Sequence, residues 1–127
     1  ELYCCSELKK VNLNGIKFTN SGFSMSVWLN NCEKLQYIDA KGVEWSKIAS
    51  IDNSFCSLPS LVELDLSGAN LSQAGISDCF SEIGSVGTIV KVIGCSATTQ
   101  NKILNALNTN NSGQTRVLND GVITRTA

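Results

Sequence analysis

Leu61-Val62-Glu63-Leu64-Asp65-Leu66-Ser67-Gly68 decides the fold, because the same design recurs along the chain. Glycines stand at Gly15, Gly42, Gly68 and Gly94, separated by 27, 26 and 26 residues. Before each come two alternating apolar residues: Val11 and Leu13, Ile38 and Ala40, Leu64 and Leu66, Val90 and Val92. Alternation at period two predicts a short strand with one buried face. After each glycine comes an apolar, any, apolar step: Ile16 and Phe18, Val43 and Trp45, Ala69 and Leu71, Cys95 and Ala97. These side chains are expected to turn inward at the strand's exit.

Upstream of the strands, apolar residues recur at i, i+4, i+7 and i+10: Met25, Leu29, Cys32, Leu35; Ile51, Phe55, Leu58, Leu61; Ile76, Phe80, Ile83, Val86. That spacing predicts short helices with one buried face. Leu2, Cys5 and Leu8 fit the last three positions of a truncated first copy, which makes about three and a half repeats. Val86 lies eight residues before its glycine, where Leu8, Leu35 and Leu61 lie seven before theirs, so a bulge is expected around residues 87–89. One strand plus one short helix cannot bury an apolar side alone, whereas stacked copies make a continuous core and a parallel sheet. The expected fold class is therefore α/β: a leucine-rich-repeat-like, right-handed solenoid over residues 1–97, with about four parallel strands and short helices on the other side.

Residues 98–127 break the pattern and are expected to cap the same domain. Ser96 or Thr98 can cap a helix running to about Asn108, whose apolar side is Ile103, Leu104, Ala106 and Leu107. Arg116 to Thr124 reads as a hairpin turning at Asn119-Asp120-Gly121, or else as a strand that continues the parallel sheet. No equivalent cap is legible at the other end, so a further domain or further repeats are expected before Glu1. The chain is read as a processed or trimmed piece.

The segments Leu8 to Leu13, Leu35 to Ala40 and Leu61 to Leu66 follow the L-x-x-L-x-L start of a leucine-rich repeat. Phe55-x-x-Leu58-x-x-Leu61 leading into Leu64-Asp65-Leu66-Ser67-Gly68, preceded by Ile51-Asp52-Asn53-Ser54, resembles the BspA-type leucine-rich repeats of bacterial surface proteins. Val90 to Ser96 is similar to the closing strand of such arrays, so the resemblance covers residues 1 to about 97. It implies a secreted or surface-attached adhesion or recognition module of a bacterium, and it transfers no catalytic residue. Eukaryotic repeats share the Leu-Asp-Leu-Ser-Gly core, which keeps a cytoplasmic recognition domain open as an alternative. Where the repeat usually carries asparagine this chain has Ile16, Val43, Ala69 and Cys95, so the turn backbone must find other partners.

Composition narrows the function. The 127 residues are 43% hydrophobic and 17% charged, enough apolar material for one packed core and below the roughly 25% charge of ordinary soluble domains. A net charge of −1 leaves no basic field for nucleic-acid phosphates or anionic lipid, so no nucleic-acid partner is expected. The absence of His removes Ser-His-Asp and Cys-His relays and His-ligated zinc. No apolar stretch is long enough to span a membrane, and the chain is expected to be soluble. The expected protein is not an enzyme, and it uses no metal or cofactor.

Residues between the buried strand positions should line a concave face in rows. These are Lys10, Tyr37, Glu63, Ile89; Asn12, Asp39, Asp65, Lys91; and Asn14, Lys41, Ser67, Ile93. Lys10, Asn12, Tyr37, Asp39, Lys41, Glu63, Asp65 and Lys91 are the candidate binding residues, for a protein or glycan ligand. Asp39 and Asp65 should be neighbours across adjacent strands, where like charges repel weakly in solvent. They can equally be solvated carboxylates, and nothing near them would raise one pKa as a glycosidase pair requires. A spacer that carries no ligand is the second reading.

The six cysteines form no C-x-x-C spacing. Cys5 and Cys32 share a buried ladder position with Leu58 and Ile83, close enough in register to leave a disulfide open, while Cys56 and Cys79 fall outside the apolar register, near the convex face. Trp45 and Trp28 read as core or semi-buried, with Trp28 allowed to face outward. Asn70-Leu71-Ser72 and Asn110-Asn111-Ser112 match the glycosylation pattern, which a bacterial origin would leave idle.

Overall fold

The computed structural model describes residues 5–18, 21–25 and 28–127; Leu2 and Cys4 lie outside them. Its elements are β1 (Lys10–Asn12), β2 (Phe23–Ser24), β3 (Tyr37–Asp39), β4 (Ile48–Ser50), β5 (Glu63–Asp65), β6 (Ile89–Lys91), α1 (Ala97–Thr109), β7 (Thr115–Asn119) and β8 (Val122–Thr126). The fold is α/β, with a mostly parallel six-stranded sheet in the order β1-β3-β5-β6-β8-β7. Register pairs Lys10 with Tyr37, Tyr37 with Glu63 and Glu63 with Ile89, which repeats the spacing of the glycines. Val11, Ile38, Leu64 and Val90 point inward and are buried, as the alternation requires.

β1, β3, β5 and β6 each lead into the same turn. Ile16, Val43, Ala69 and Cys95 donate their N–H groups to the carbonyls of Leu13, Ala40, Leu66 and Val92, three residues back. Gly15, Gly68 and Gly94 take φ of +85°, +75° and +77° there, a region L side chains rarely adopt. Gly42 is required differently: a Cβ would collide with the Asn14 side chain. The inward step holds in the middle of the stack, where Val43, Trp45, Ala69 and Leu71 are buried, but Ile16 and Ala97 are exposed at its ends.

The short helices expected opposite the strands do not form; among the described residues α1 is the one α-helix. Turns close the chain there instead, from Cys5 to Leu8, Cys32 to Leu35, Ile51 to Ser54, Leu58 to Leu61 and Ile76 to Cys79. Leu29, Asn31, Asn53, Phe55, Ser57, Asp78, Phe80 and Glu82 all have φ between +54° and +65°, which no right-handed helix accommodates. Backbone groups bond sideways to the neighbouring segment: Phe55 N to Trp28 O at 2.8 Å, Phe80 N to Ser54 O at 3.2 Å, Asn31 N to Cys56 O at 3.1 Å. The composition explains the outcome. Asp52, Asn53, Ser54, Ser57, Pro59 and Ser60 are weak helix formers whose polar groups compete for the backbone. Ser54 Oγ accepts from Trp28 N, and Asn30 bridges to Asn53 O and Cys56 N.

A two-stranded parallel sheet of β2 and β4, continued by a bridge from Ser50 to Gly75, closes another side that the sequence did not signal. The expected bulge at 87–89 is absent, because the extra residue is absorbed in a turn from Ser85 to Thr88 while β5 and β6 pair evenly. Val86 consequently leaves the ladder and is 59% exposed. Of the other apolar ladder positions among the described residues, Leu29, Cys32, Leu35, Ile51, Phe55, Leu58, Leu61, Ile76, Phe80 and Ile83 are buried, while Cys5, Leu8 and Met25 are half-buried against the core. Trp28, Phe55 and Phe80 form a column of rings 5.7 and 5.8 Å apart, so Trp28 faces inward. Cys56 and Cys79, expected near the convex face, are buried, with thiols bonded to the carbonyls of Asp78 and Ile51.

α1 begins at Ser96, whose hydroxyl accepts from Thr99 N at 3.2 Å, and buries Ile103 and Leu107. The hairpin turns at Asp120 and Gly121, both with positive φ, the geometry a two-residue turn of this type demands. Its β8 does continue the sheet, but antiparallel to β6.

Candidate functional site

Strand alternation fixes which side chains reach the outer face. Because Val11, Ile38, Leu64, Val90 and Ile123 fill the core, their neighbours must point outward. Pairing lines up Lys10, Tyr37, Glu63 and Ile89 in one row and Asn12, Asp39, Asp65 and Lys91 in a second, as the repeat spacing expects. The hairpin lengthens both rows. Thr124 and Val117 follow Ile89, while Val122 and Asn119 follow Lys91. The alternation within residues 115–126 signals an outward set, but no local feature says which strand it will join.

The second row does structural work. Asn12, Asp39 and Asp65 each accept, through Oδ1, the backbone N–H two residues ahead, from Asn14 (2.9 Å), Lys41 (3.2 Å) and Ser67 (2.9 Å). These bonds supply the turns with the partners that the missing asparagine ladder leaves wanting. Asp65 is only 8% exposed, so it does not project from an open face as expected. Lys41 Nζ sits 2.7 Å from Asp39 Oδ2. The Lys41 hydrogen bond, against a smaller opposing effect of burial, holds the Asp39 carboxyl below its ordinary value, and Asp39 in turn raises the Lys41 ammonium. A lowered carboxyl is the opposite of what a proton donor needs.

Elsewhere on the face, Lys91 meets Glu63 at 3.4 Å, and Lys10 Nζ lies 5.5 Å from the Tyr37 ring centre. The charged groups therefore cluster over β1, β3, β5 and the edge of β6. Over β8 and β7 the aligned outward side chains are the uncharged Thr124, Val117, Val122 and Asn119, with Val117 49% exposed; Ile93, 50% exposed, lies past the end of β6, next to Gly121. Tyr37, at 41% exposure, presents an aromatic ring from the polar half. The face therefore offers paired charges, one aromatic ring and exposed aliphatic side chains.

Other features lie away from the face. A groove of about 490 Å³ runs between Ala74–Asp78 and one side of α1, but Lys102, its cation, is tied to the carbonyls of Leu71, Ser72 and Ala74. Burial pushes the Cys79 thiol up to about 12, so at neutral pH it is no nucleophile. Among the described residues no three His, Cys, Asp or Glu side chains gather to hold a metal ion, and no helix is long and apolar enough to cross a membrane. No family model, curated protein or solved structure matches this chain.

Proposed function

We propose that the protein is a short leucine-rich-repeat-like, right-handed solenoid and a non-enzymatic binding module, secreted or held on a bacterial surface, that takes a protein or glycan ligand on the concave side of its sheet. The alignment of outward side chains from six paired strands in two rows carries this reading. The turn that recurs at Gly15, Gly42, Gly68 and Gly94 supports the solenoid, and the resemblance of Phe55 to Gly68 supports the location. Exposed Tyr37, Val117 and Ile93 add the aromatic and aliphatic contact area that recognition surfaces use.

A second reading is a spacer with no ligand of its own. The Asp39–Lys41 and Glu63–Lys91 pairs favour it, since they neutralise the face's charges internally.

Binding of the purified chain to an array of extracellular-matrix proteins and glycans separates the two. Asp39 and Asp65 hold turns, so the control variant replaces Tyr37, Glu63, Lys91 and Val117 instead. Saturable binding that the folded control loses supports the module. A folded chain that binds nothing on the array favours the spacer.

A further inference from the structure

The hairpin places two arginines side by side, and among the described residues no carboxylate pairs with either. Arg116 of β7 and Arg125 of β8 are directly opposed in the antiparallel register, on the same face as the buried Ile123. Cross-strand partners bring their Cβ atoms to about 5 Å, where like charges are unfavourable. Arg116 is only 4% exposed, and Arg125 is half-buried.

All their hydrogen-bond acceptors are neutral. Arg116 donates from Nη1 to Gln114 Oε1 at 3.0 Å and from Nη2 to Ile83 O at 3.1 Å. Arg125 donates from Nη1 to Gly84 O at 3.1 Å, while its Nε is buried without any hydrogen-bond partner. The ion pairs found among the described residues join Lys17, Lys34, Lys41 and Lys91 to carboxylates, and none includes either arginine. Lys102 offers a useful contrast: a single buried-stem ammonium bonded to three carbonyls is fully used. Each guanidinium has five N–H donors, and three bonds between the two leave most of that capacity unspent.

We propose that Arg116 and Arg125 form an anion site that takes a small oxyanion, the carboxylate, sulfate or phosphate group of a ligand. The oxyanion docks on the accessible side of Arg125, whose planar fork matches it, and Arg116 strengthens the positive field from behind. Burial and the neighbouring Arg125 charge both push the Arg116 guanidinium down. This site is independent of the sheet-face reading.

Thermal melts and calorimetric titrations of the full chain, at fixed ionic strength, test it with inorganic phosphate, sulfate, acetate and glucuronate against chloride. The expected result is a saturable rise in Tm and measurable heat with at least one oxyanion, abolished in Arg125→Gln and weakened about tenfold or more in Arg125→Lys. A stronger response to glucuronate than to acetate identifies an acidic sugar as the source, whereas a preference for phosphate identifies the free ion. Equal Tm shifts in wild type and Arg125→Gln would overturn the proposal. So would a wild-type chain that responds to none of the anions, which leaves the arginines as stoppers for the Ile83 and Gly84 carbonyls.

Discussion

Replacing Phe55 by alanine tests the ring column that joins three successive repeats. Phe55 is fully buried, with Trp28 5.7 Å away on one side and Phe80 5.8 Å away on the other. A buried Phe→Ala change costs about 3–5 kcal/mol, and two lost ring contacts worth about 0.5–1.5 kcal/mol each place this site near the upper end. At roughly 4 °C per kcal/mol for a chain of this length, the thermal midpoint should fall by about 20 °C. Phe55 also has φ +57°, so alanine keeps the backbone strain that glycine would release. Phe55→Gly should therefore cost no more than Phe55→Ala, although glycine ordinarily costs about 0.5–1 kcal/mol extra. Val86→Ala is the control, because spacing alone puts Val86 in the same ladder whereas the structure leaves it 59% exposed. Urea unfolding followed by circular dichroism reads all three. A Phe55→Ala cost under about 1 kcal/mol, or an equal loss in Val86→Ala, would refute the packing argument.

Three further outcomes are expected. Gly121→Ala should destabilise by about 1 kcal/mol or more, since φ is +76° and a Cβ would approach Ile93 Cα to 3.0 Å; chemical denaturation measures it. The Asp39 carboxyl titrates below its ordinary 3.8, so its contribution is present above the unfolded value and lost as pH falls through the folded one. Carboxyl NMR should therefore show its midpoint rising in Lys41→Met. The Cys79 thiol, raised from 9.0 to about 12, contributes stability that is complete below pH 9 and lost as pH climbs towards 12. Cys79 should accordingly resist alkylation in the folded chain at pH 8 and react once urea unfolds it, as mass spectrometry of the labelled peptides would show.

Much of the candidate face is legible in the sequence. Strand spacing depends on local alternation and on the glycine that ends each run, so Val11 to Gly15 and its later copies announce themselves, and their shared period fixes which of Lys10, Tyr37, Glu63 and Ile89 are neighbours. Burial was legible too, since Ile51, Phe55, Leu58 and Leu61 are inward whatever backbone carries them. The conformation between them was not. A spacing of three to four residues arises from an α-helix and equally from consecutive turns that each send one side chain inward. Only the sideways hydrogen bonds to neighbouring segments choose between the two, and those partners lie about 25 residues away in sequence.

The turn-holding role of Asp39 and Asp65 is local, since each accepts the N–H two residues ahead, from Lys41 and Ser67, a bond that Asp just before a turn signals. What the folded chain adds is the burial of Asp65, which is only 8% exposed. The hairpin's place beside β6 is likewise tertiary, because a strand's edge accepts either direction and the choice follows from how α1 returns the chain across the core. What the sequence by itself determined was period, the inward side of the repeated strands, and the cap's turn at Asp120-Gly121, all set by residues within one repeat or one turn. Tertiary structure alone decided which polar groups are consumed by distant partners, as Asn30 is by Asn53 and Cys56, since a hydrogen-bond partner many residues away has no local signature.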